Sequence, residues 1–282
     1  MKLKSVFHPT LKIAAAVGAA AVVAGVTLTA TGQASAAKAE HHPSGKKPTV
    51  VLVHGAFADS SSWNGVIQRL QRDGYPVMAP ANPLRGLASD ADYLHSVLKS
   101  VKGPVVLVGH SYGGSVISQA AVGAPDVKAL VYIAAFAPDK GESALELSNK
   151  FPGSSLGATL KSVPFPLSGG GTGTDLYIKS DKFHDQFAGD VPTSTTDLMA
   201  AGQRPVAASA LEEKATGAAW KAIPSWDLIT TEDKNIPPAS QRFMAERADA
   251  HTVEVKASHA VSVSRPGEVT RLIERAAHAT AR

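Results

Sequence analysis

Continuous apolar runs separated by helical patterns are the feature that most restricts the fold of this chain. Runs at 49–53, 105–108 and 130–134 are apolar at nearly every position instead of every second one. A strand of that kind is buried on both faces, as in parallel sheets covered by helices. Further candidate strands lie at 76–79, 226–230 and 252–256.

Helical patterns fill the intervals between these runs. They are predicted at 63–73, 90–101, 115–122, 239–248 and 266–278. Strands that alternate with helices form βαβ units, whose crossovers place helices on both faces of a mostly parallel sheet. The pattern therefore predicts an α/β fold.

The segment 141–223 breaks this alternation. It is rich in Gly, Pro, Ser and Thr and offers only short helical patterns, at 175–187 and 195–201. Ligands of open α/β sheets bind beyond the carboxyl ends of the strands, so this insertion predicts a small cap there. The glycine-rich stretch 169–173 has no predicted strand before it, and we expect a flexible loop in place of a dinucleotide-binding fingerprint.

The first 36 residues resemble a secretory signal peptide. A basic start precedes an apolar run at 13–28, and small residues at 34–36 suit cleavage after Ala36. A retained membrane anchor is the alternative, but the run is short and rich in Ala and Gly. We expect a secreted protein with a flexible linker at 37–48 and one α/β domain over 49–282.

Charge and cysteine content argue against several classes of protein and site, namely nucleic-acid binding, disulfide-stabilised and thiolate-based ones. Lys2, Lys4 and Lys12 supply three of the four net positive charges, and the basic stripe typical of nucleic-acid binding does not occur elsewhere. The chain has no Cys, which excludes disulfides and thiolate chemistry. His41 and His42 lack further ligands nearby in sequence, so no metal site is predicted. We expect no nucleic-acid partner, and no membrane partner after signal cleavage.

The sequence Gly-His-Ser-Tyr-Gly at 109–113 lies between a predicted buried strand and a predicted helix. This context suits a nucleophile elbow, a tight strand-to-helix turn that exposes a serine hydroxyl. The helix start supplies a free N–H beneath a developing oxyanion. Ser111 is the predicted nucleophile, with the N–H groups of Tyr112 and of Ala56, after the first strand, as the oxyanion hole.

A serine nucleophile needs a histidine base within reach. His259 follows the strand predicted at 252–256, which places it at the same sheet edge as Ser111, whereas His251 precedes that strand. Asp233 follows the strand at 226–230 and is the predicted acid. Asp139, after an earlier strand, is the rival, but the order serine, aspartate, histidine along the chain favours Asp233.

Five stretches of residues 50–274 carry a resemblance to a known family. They are Val-Leu-Val-His-Gly-Ala at 51–56, the elbow at 109–113, Ala-Ala-Phe-Ala-Pro at 134–138, Thr-Glu-Asp-Lys-Asn-Ile-Pro at 231–237 and Ser-His at 258–259. The chain resembles the α/β-hydrolase superfamily, in the branch of plant methylesterases and hydroxynitrile lyases. The resemblance implies the α/β-hydrolase fold, a compact cap, no cofactor, and the aspartate of the fourth stretch, Asp233, as triad acid.

Two departures separate this chain from the lyases of that branch. The lyases have a Lys near the catalytic histidine and a Thr in the loop after the first strand, where this chain has Ala260 and Gly55-Ala56. Dehalogenases and epoxide hydrolases of the same fold use Asp where this chain has Ser111. These differences favour ester hydrolysis.

The sequence thus predicts a serine esterase that acts on a small-molecule ester through an acyl-enzyme. Phe57 and Phe136 lie near strand ends that face the expected pocket, where they contact substrate or simply pack in the core. Two alternatives keep the scaffold: a cofactor-free perhydrolase or acyl transferase on the same site, and a non-catalytic ligand-binding protein. The sequence leaves substrate identity and oligomeric state open.

Overall fold

The computed structural model describes residues 46–280. The predicted signal peptide and most of the predicted linker lie outside the described residues. Between residues 46 and 280 no helix has the combination of length and hydrophobicity that a bilayer crossing requires.

Nine strands and eleven α-helices make up the described part of the chain. The strands are β1 (Thr49–Val53), β2 (Val77–Met78), β3 (Val105–His110), β4 (Val127–Ile133), β5 (Leu160–Pro166), β6 (Thr172–Ile178), β7 (Val206–Ala207), β8 (Ser225–Thr230) and β9 (His251–Val255). The helices are α1 (Asn64–Arg72), α2 (Leu87–Ser100), α3 (Tyr112–Ala120), α4 (Ala144–Asn149), α5 (Leu156–Thr159), α6 (Ser180–Phe187), α7 (Thr193–Gly202), α8 (Ala208–Glu212), α9 (Pro238–Arg247), α10 (Val261–Ser264) and α11 (Pro266–Thr280). Two short 3₁₀ helices cover Ser60–Trp63 and Ala219–Lys221.

Six of the strands form one parallel sheet in the order β2-β1-β3-β4-β8-β9. Each predicted strand overlaps one of these six, although those predicted at 76–79, 130–134 and 252–256 extend beyond the observed strand. From β1 the chain passes to β2 on one side of β1 and then to β3 and β4 on the other side, as in doubly wound sheets. The carboxyl ends of all six parallel strands lie at one edge of the sheet. The predicted α/β-hydrolase fold with a mostly parallel sheet is confirmed.

The central strands are apolar on both faces because each face carries its own hydrophobic cluster. Val51 and Leu107 belong to one cluster, while their neighbours Val50 and Val106 belong to the other. Successive side chains of a strand point to opposite faces, so a continuous apolar run supplies both clusters. Helices α2 and α3 cover the first face, and α1 and α11 cover the second.

The segment between β4 and β8 contains a second sheet that the sequence analysis did not predict. Strands β5, β6 and β7 pair antiparallel in that order. The expectation that no strand precedes 169–173 was therefore wrong. Residues 169–171 lie in the turn of the β5–β6 hairpin, and residues 172–173 begin β6. Gly170 and Gly171 adopt φ of 89° and 87°, a left-handed conformation that favours glycine.

The helix predicted at 175–187 was wrong in its first part, since residues 175–178 belong to β6 and only α6 is helical. Both hairpin strands are half-exposed, so they lack the apolar run that marks a buried strand. Pro164 and Pro166 in β5 also argued against a strand. They are tolerated because β5 is at the edge of its sheet.

Candidate active site

Ser111 lies in the tight turn between β3 and α3. Its backbone adopts φ 54° and ψ −125°, a strained conformation for a residue with a side chain. The flanking glycines permit this turn, because a Cβ on Gly109 would lie 2.6 Å from the Gly113 carbonyl oxygen and one on Gly113 would lie 2.5 Å from that of Val53. The geometry is that of a nucleophile elbow.

Two residues that line the same cavity as Ser111 have unpaired backbone N–H groups within residues 46–280. Tyr112 is the first residue of α3, so its N–H has no partner within the helix. Among the backbone hydrogen bonds of residues 46–280, none uses the N–H of Ala56. Both residues line the cavity together with Ser111. Ala56 and Tyr112 therefore offer two free donors beside the hydroxyl.

The next residue, Phe57, bonds the loop after β1 to the segment just before β7. Its backbone has φ of 61°, an outlier for a bulky side chain. Its N–H donates to the carbonyl of Arg204 over 3.0 Å. This bond fixes the loop that carries the Ala56 N–H.

His259 and Asp233 form a buried pair at the carboxyl edge of the sheet. Nδ1 of the imidazole lies 2.7 Å from Oδ2 of the carboxylate, and both side chains are almost fully buried. An ionised carboxylate accepts only, so Nδ1 carries the proton. Nε2 is the ring nitrogen left to exchange a proton with a reacting group.

Four further donors surround the Asp233 carboxylate. The Thr230 hydroxyl and the Gln241 amide each donate to Oδ2 over 3.0 Å. The N–H groups of Asn235 and Ile236 donate to Oδ1 over 2.8 and 3.0 Å. Hydrogen bonds of this kind compensate the desolvation of a buried charge. They also fix the orientation of the carboxylate toward the imidazole.

The rival acid, Asp139, has a different partner. It forms an ion pair with Lys221 at 2.6 Å, and this bond holds the pKa of Asp139 below its usual value. Its side chain is partly exposed, and within residues 46–280 it makes no hydrogen bond to His259. The structure brings Asp233, and not Asp139, to the imidazole.

His110 connects the elbow to the loop that carries His259. Its Nε2 lies 2.8 Å from the His259 carbonyl oxygen, and the two rings lie 4.7 Å apart between centroids. Burial lowers the pKa of His110 to about 3, helped by the nearby His259, so the ring is neutral at working pH. A carbonyl only accepts, so Nε2–H donates. The bond holds the loop of His259 against His110, the residue that precedes Ser111.

His54, after β1, has both ring nitrogens engaged. Nδ1 donates to the Gly55 carbonyl and Nε2 accepts from the Asn82 N–H, each over 2.9 Å. Burial lowers its pKa. With both nitrogens occupied, His54 holds the loop and is not a second base.

A cavity of about 370 Å³ opens above Ser111. Phe57 and Phe136 line it together with Ser111. Its far walls are mostly apolar: Leu145, Leu156, Leu160, Leu176, Leu211 and Ile236. Among the lining residues Glu212 is the only Asp, Glu, Lys, Arg or His. The cavity therefore suits an uncharged, apolar ligand.

Sequence reasoning missed three residues that contact the site. Gln241, on α9, and Thr230, at the end of β8, donate to the Asp233 carboxylate. The Phe187 ring packs edge-on against the His259 ring, with the two centroids 5.0 Å apart. None stands in a motif, and no sequence pattern marks them. No cluster of three or more metal-ligating side chains occurs within residues 46–280.

A parallel sheet with a serine elbow at its carboxyl edge and a histidine–aspartate pair beside it defines the class of α/β-hydrolases. A profile of the Alpha/beta hydrolase family matches residues 50–272. The chain belongs to this family.

Relatives and solved structures agree with that assignment. The chain is 28% identical over 255 residues to the alpha/beta hydrolase nvfD of Aspergillus novofumigatus, covering 82% of this chain and 97% of the relative. It is 26% identical to an Arabidopsis thaliana chloroplastic protein named as methylesterase 11, over 79% of this chain and 62% of that protein. The fold superposes on polyneuridine aldehyde esterase with a TM-score of 0.71 at 20% identity, covering 81% and 98%. The resemblance to esterase-like α/β-hydrolases is confirmed.

Proposed function

We propose that the protein is a secreted serine esterase that hydrolyses neutral, apolar carboxylic esters. The observation that carries the proposal is the buried contact of 2.7 Å between His259 Nδ1 and Asp233, on a loop bonded to the elbow of Ser111. Esterases among the relatives support the same reaction class.

In the first step the Ser111 hydroxyl attacks the ester carbonyl. Nε2 of His259 takes the hydroxyl proton, and the carbonyl oxygen becomes an oxyanion held by the N–H groups of Ala56 and Tyr112. Collapse of this intermediate breaks the bond to the alcohol oxygen. The imidazolium gives its proton to that oxygen, and the alcohol leaves an acyl-enzyme behind.

In the second step a water molecule attacks the acyl-enzyme. His259 takes one proton from the water, the same two N–H groups hold the oxyanion, and Ser111 leaves with that proton as the acid is released. Water supplies the only co-reactant. Asp233 keeps Nδ1 protonated and stabilises the imidazolium in both steps.

The substrate class follows from the cavity. Its leucine-rich walls bind apolar groups through burial, at about 25 cal/mol for each Å² removed from water. No cationic side chain lines it to bind a carboxylate or phosphate group. Phe57 and Phe136 contact the part of the ester next to the carbonyl.

A panel of p-nitrophenyl esters of increasing acyl length tests this proposal. We expect turnover by the wild type, and a fall in kcat of about 10⁴-fold or more in Ser111→Ala, because the nucleophile is lost. Circular dichroism verifies that the variant folds. A fluorophosphonate probe should label the wild type at Ser111 and leave the variant unlabelled.

Two results would contradict the proposal. A folded wild type that neither labels nor turns over any ester of the panel would point to a ligand-binding protein. Faster release of peroxyacid or transesterified product than of acid, with peroxide or an alcohol present, would point to a perhydrolase or acyl transferase. Secretion is tested separately by mass spectrometry of protein from the culture medium, where we expect a chain that begins at Ala37.

A further inference from the structure

The loop that carries His259 is bonded to the cap as well as to the elbow. The N–H of Ala260 donates to the Phe187 carbonyl at the end of α6, over 3.0 Å. On the other side of the histidine, the Ser258 hydroxyl donates to Oδ1 of Asp190, three residues beyond α6. The residues directly before and after His259 are therefore both held by one cap turn, 187–190.

The Phe187 side chain completes this contact. Its ring meets the His259 ring in an edge-on arrangement, with centroids 5.0 Å apart. It also lies 6.3 Å from the His110 ring and 6.4 Å from the Phe57 ring, again edge-on. One cap side chain thus touches the base, the elbow and the loop after β1.

The same loop is also bonded to the core, where His110 Nε2 donates to the His259 carbonyl over 2.8 Å. The cap contacts come from Asp190 and from the ring and carbonyl of Phe187. Asp190 is itself only weakly neutralised, with Arg265 at 3.9 Å and Oδ2 without a hydrogen bond in the described chain. Its firm contact is therefore with Ser258.

We propose that the cap turn 187–190 positions the catalytic base, with Asp190 and Phe187 as positioning residues. The inference rests on the proposed function, since it assigns His259 as base. A loop of five residues separates β9 from α10. Without the cap contacts, this loop is held by the bonds of His259 to Asp233 and His110 and by the Glu232 N–H, which donates to the Ala257 carbonyl. The cap then sets the geometry of proton transfer in addition to covering the cavity.

The pair Asp190 and Ser258 allows a double-mutant cycle. Misplacing a catalytic group by a fraction of an ångström is enough to lower the rate, so Asp190→Ala and Ser258→Ala should each lower kcat about tenfold. The two act through one bond, so the double variant should also lose about tenfold and not the product of the two losses. KM should change less than about twofold, because neither residue lines the cavity.

Two matched variants separate positioning from general damage. Asp190→Asn keeps an oxygen acceptor for Ser258 and should retain kcat within about threefold of the wild type. Asp185→Ala removes a carboxylate from the exposed face of α6 and should leave kcat unchanged. Loss of kcat in Asp185→Ala as large as in Asp190→Ala would overturn the proposal.

Phe187 is tested against Phe183, a second fully buried phenylalanine on α6, whose ring lies 5.1 Å from that of Phe187. Phe187→Leu and Phe183→Leu remove similar volumes from the same packing and should lower the melting temperature to a similar extent. Only Phe187 touches His259. We expect a fall in kcat of about fivefold or more in Phe187→Leu beyond that in Phe183→Leu. Equal kcat values would overturn the role of the ring.

Labelling of Ser111 by a neutral fluorophosphonate distinguishes this inference from the proposed function. Labelling needs the base but no ester. A wild type that labels without turning over any ester would count against the esterase, while slower labelling of Asp190→Ala and Phe187→Leu would still support positioning. Labelling at the wild-type rate in both variants would overturn it.

Discussion

The carboxyl edge of the large sheet and the cap meet at one cavity but are built in different ways. At the sheet edge the side chains of His259 and Asp233 are almost fully buried, and every hydrogen-bonding atom of the carboxylate is engaged. The walls that the cap contributes, such as Leu176 and Leu211, are half-exposed on short elements. Under the proposed function, we therefore expect the sheet edge to supply the reacting groups and the cavity walls of the cap to select the ligand through apolar area that tolerates change.

The largest change in kcat is expected at Asp233, when it is compared with Asp139, the alternative acid that the sequence left open. Asp233→Asn should lower kcat about 1,000-fold or more, since an amide donor at Nδ1 favours the wrong imidazole tautomer. Asp139→Asn should change kcat less than about twofold, because its partner Lys221 is partly exposed. Steady-state kinetics on a p-nitrophenyl ester measures both. A large loss in Asp139→Asn would break the assignment of chemistry to the Asp233 pair.

A smaller effect is expected on the cap side. Leu176→Ala and Leu211→Ala each remove apolar surface from the cavity, worth about 1–2 kcal/mol for a ligand that buries it. We expect KM for a long-chain ester to rise about tenfold while KM for an acetate ester and kcat stay close to wild type. Leu198→Ala, at a residue 75% exposed and away from this cavity, is the control. A fall in kcat without a change in KM in Leu176→Ala or Leu211→Ala would contradict the idea that these cap walls affect ligand binding alone.

The smallest effect is expected on stability, at Asp227, a buried aspartate of the sheet outside the candidate site. Asp227 lies on β8 near Asp233 in sequence and is equally buried, yet its Oδ1 has no hydrogen-bond partner in the described chain. Burial raises the pKa of Asp227 well above its ordinary value. The folded state therefore retains a proton that the unfolded chain releases above about pH 4.

The sign of the pH dependence follows. The stability that Asp227 contributes is present below about pH 4 and is lost as the pH rises toward the folded pKa. Asp227→Asn stays neutral, so its free energy of unfolding relative to wild type should rise between pH 4 and pH 8. Urea unfolding at both pH values measures this, with exposed Asp126→Asn as the control. A difference that falls with pH would refute the buried, protonated carboxyl.

The sheet was predictable because burial on both faces leaves a local signal. The apolar runs at 49–53, 105–108 and 226–230 all became strands of the large sheet. In β4 the strand begins at Val127, three residues before the predicted run, because the exposed Lys128 interrupts the apolar pattern. The positions of Ser111, Asp233 and His259 after strands were equally readable, since parallel strands bring their carboxyl ends to one edge.

The cap was not predictable in the same way. Its β5–β6 hairpin alternates weakly and carries two prolines, so neither period nor propensity identified it. Gln241 donates to Asp233 from eight residues away, and Phe187 reaches His259 from another part of the chain. Contacts of this kind depend on which individual side chains meet when distant segments pack together. No periodic pattern in the sequence specifies those pairs.

The amino-acid sequence by itself determined the α/β class, the elbow at Ser111 and the chain order of the three site residues. Each of these depends on short-range patterns of apolar residues and glycines, which specify strands, helices and tight turns locally. Only the tertiary structure decided which carboxylate reaches His259, what surrounds that carboxylate, and which cap residues touch the His259 ring. Those outcomes depend on side-chain contacts between segments far apart in the chain, where a shift of an ångström decides whether a hydrogen bond forms.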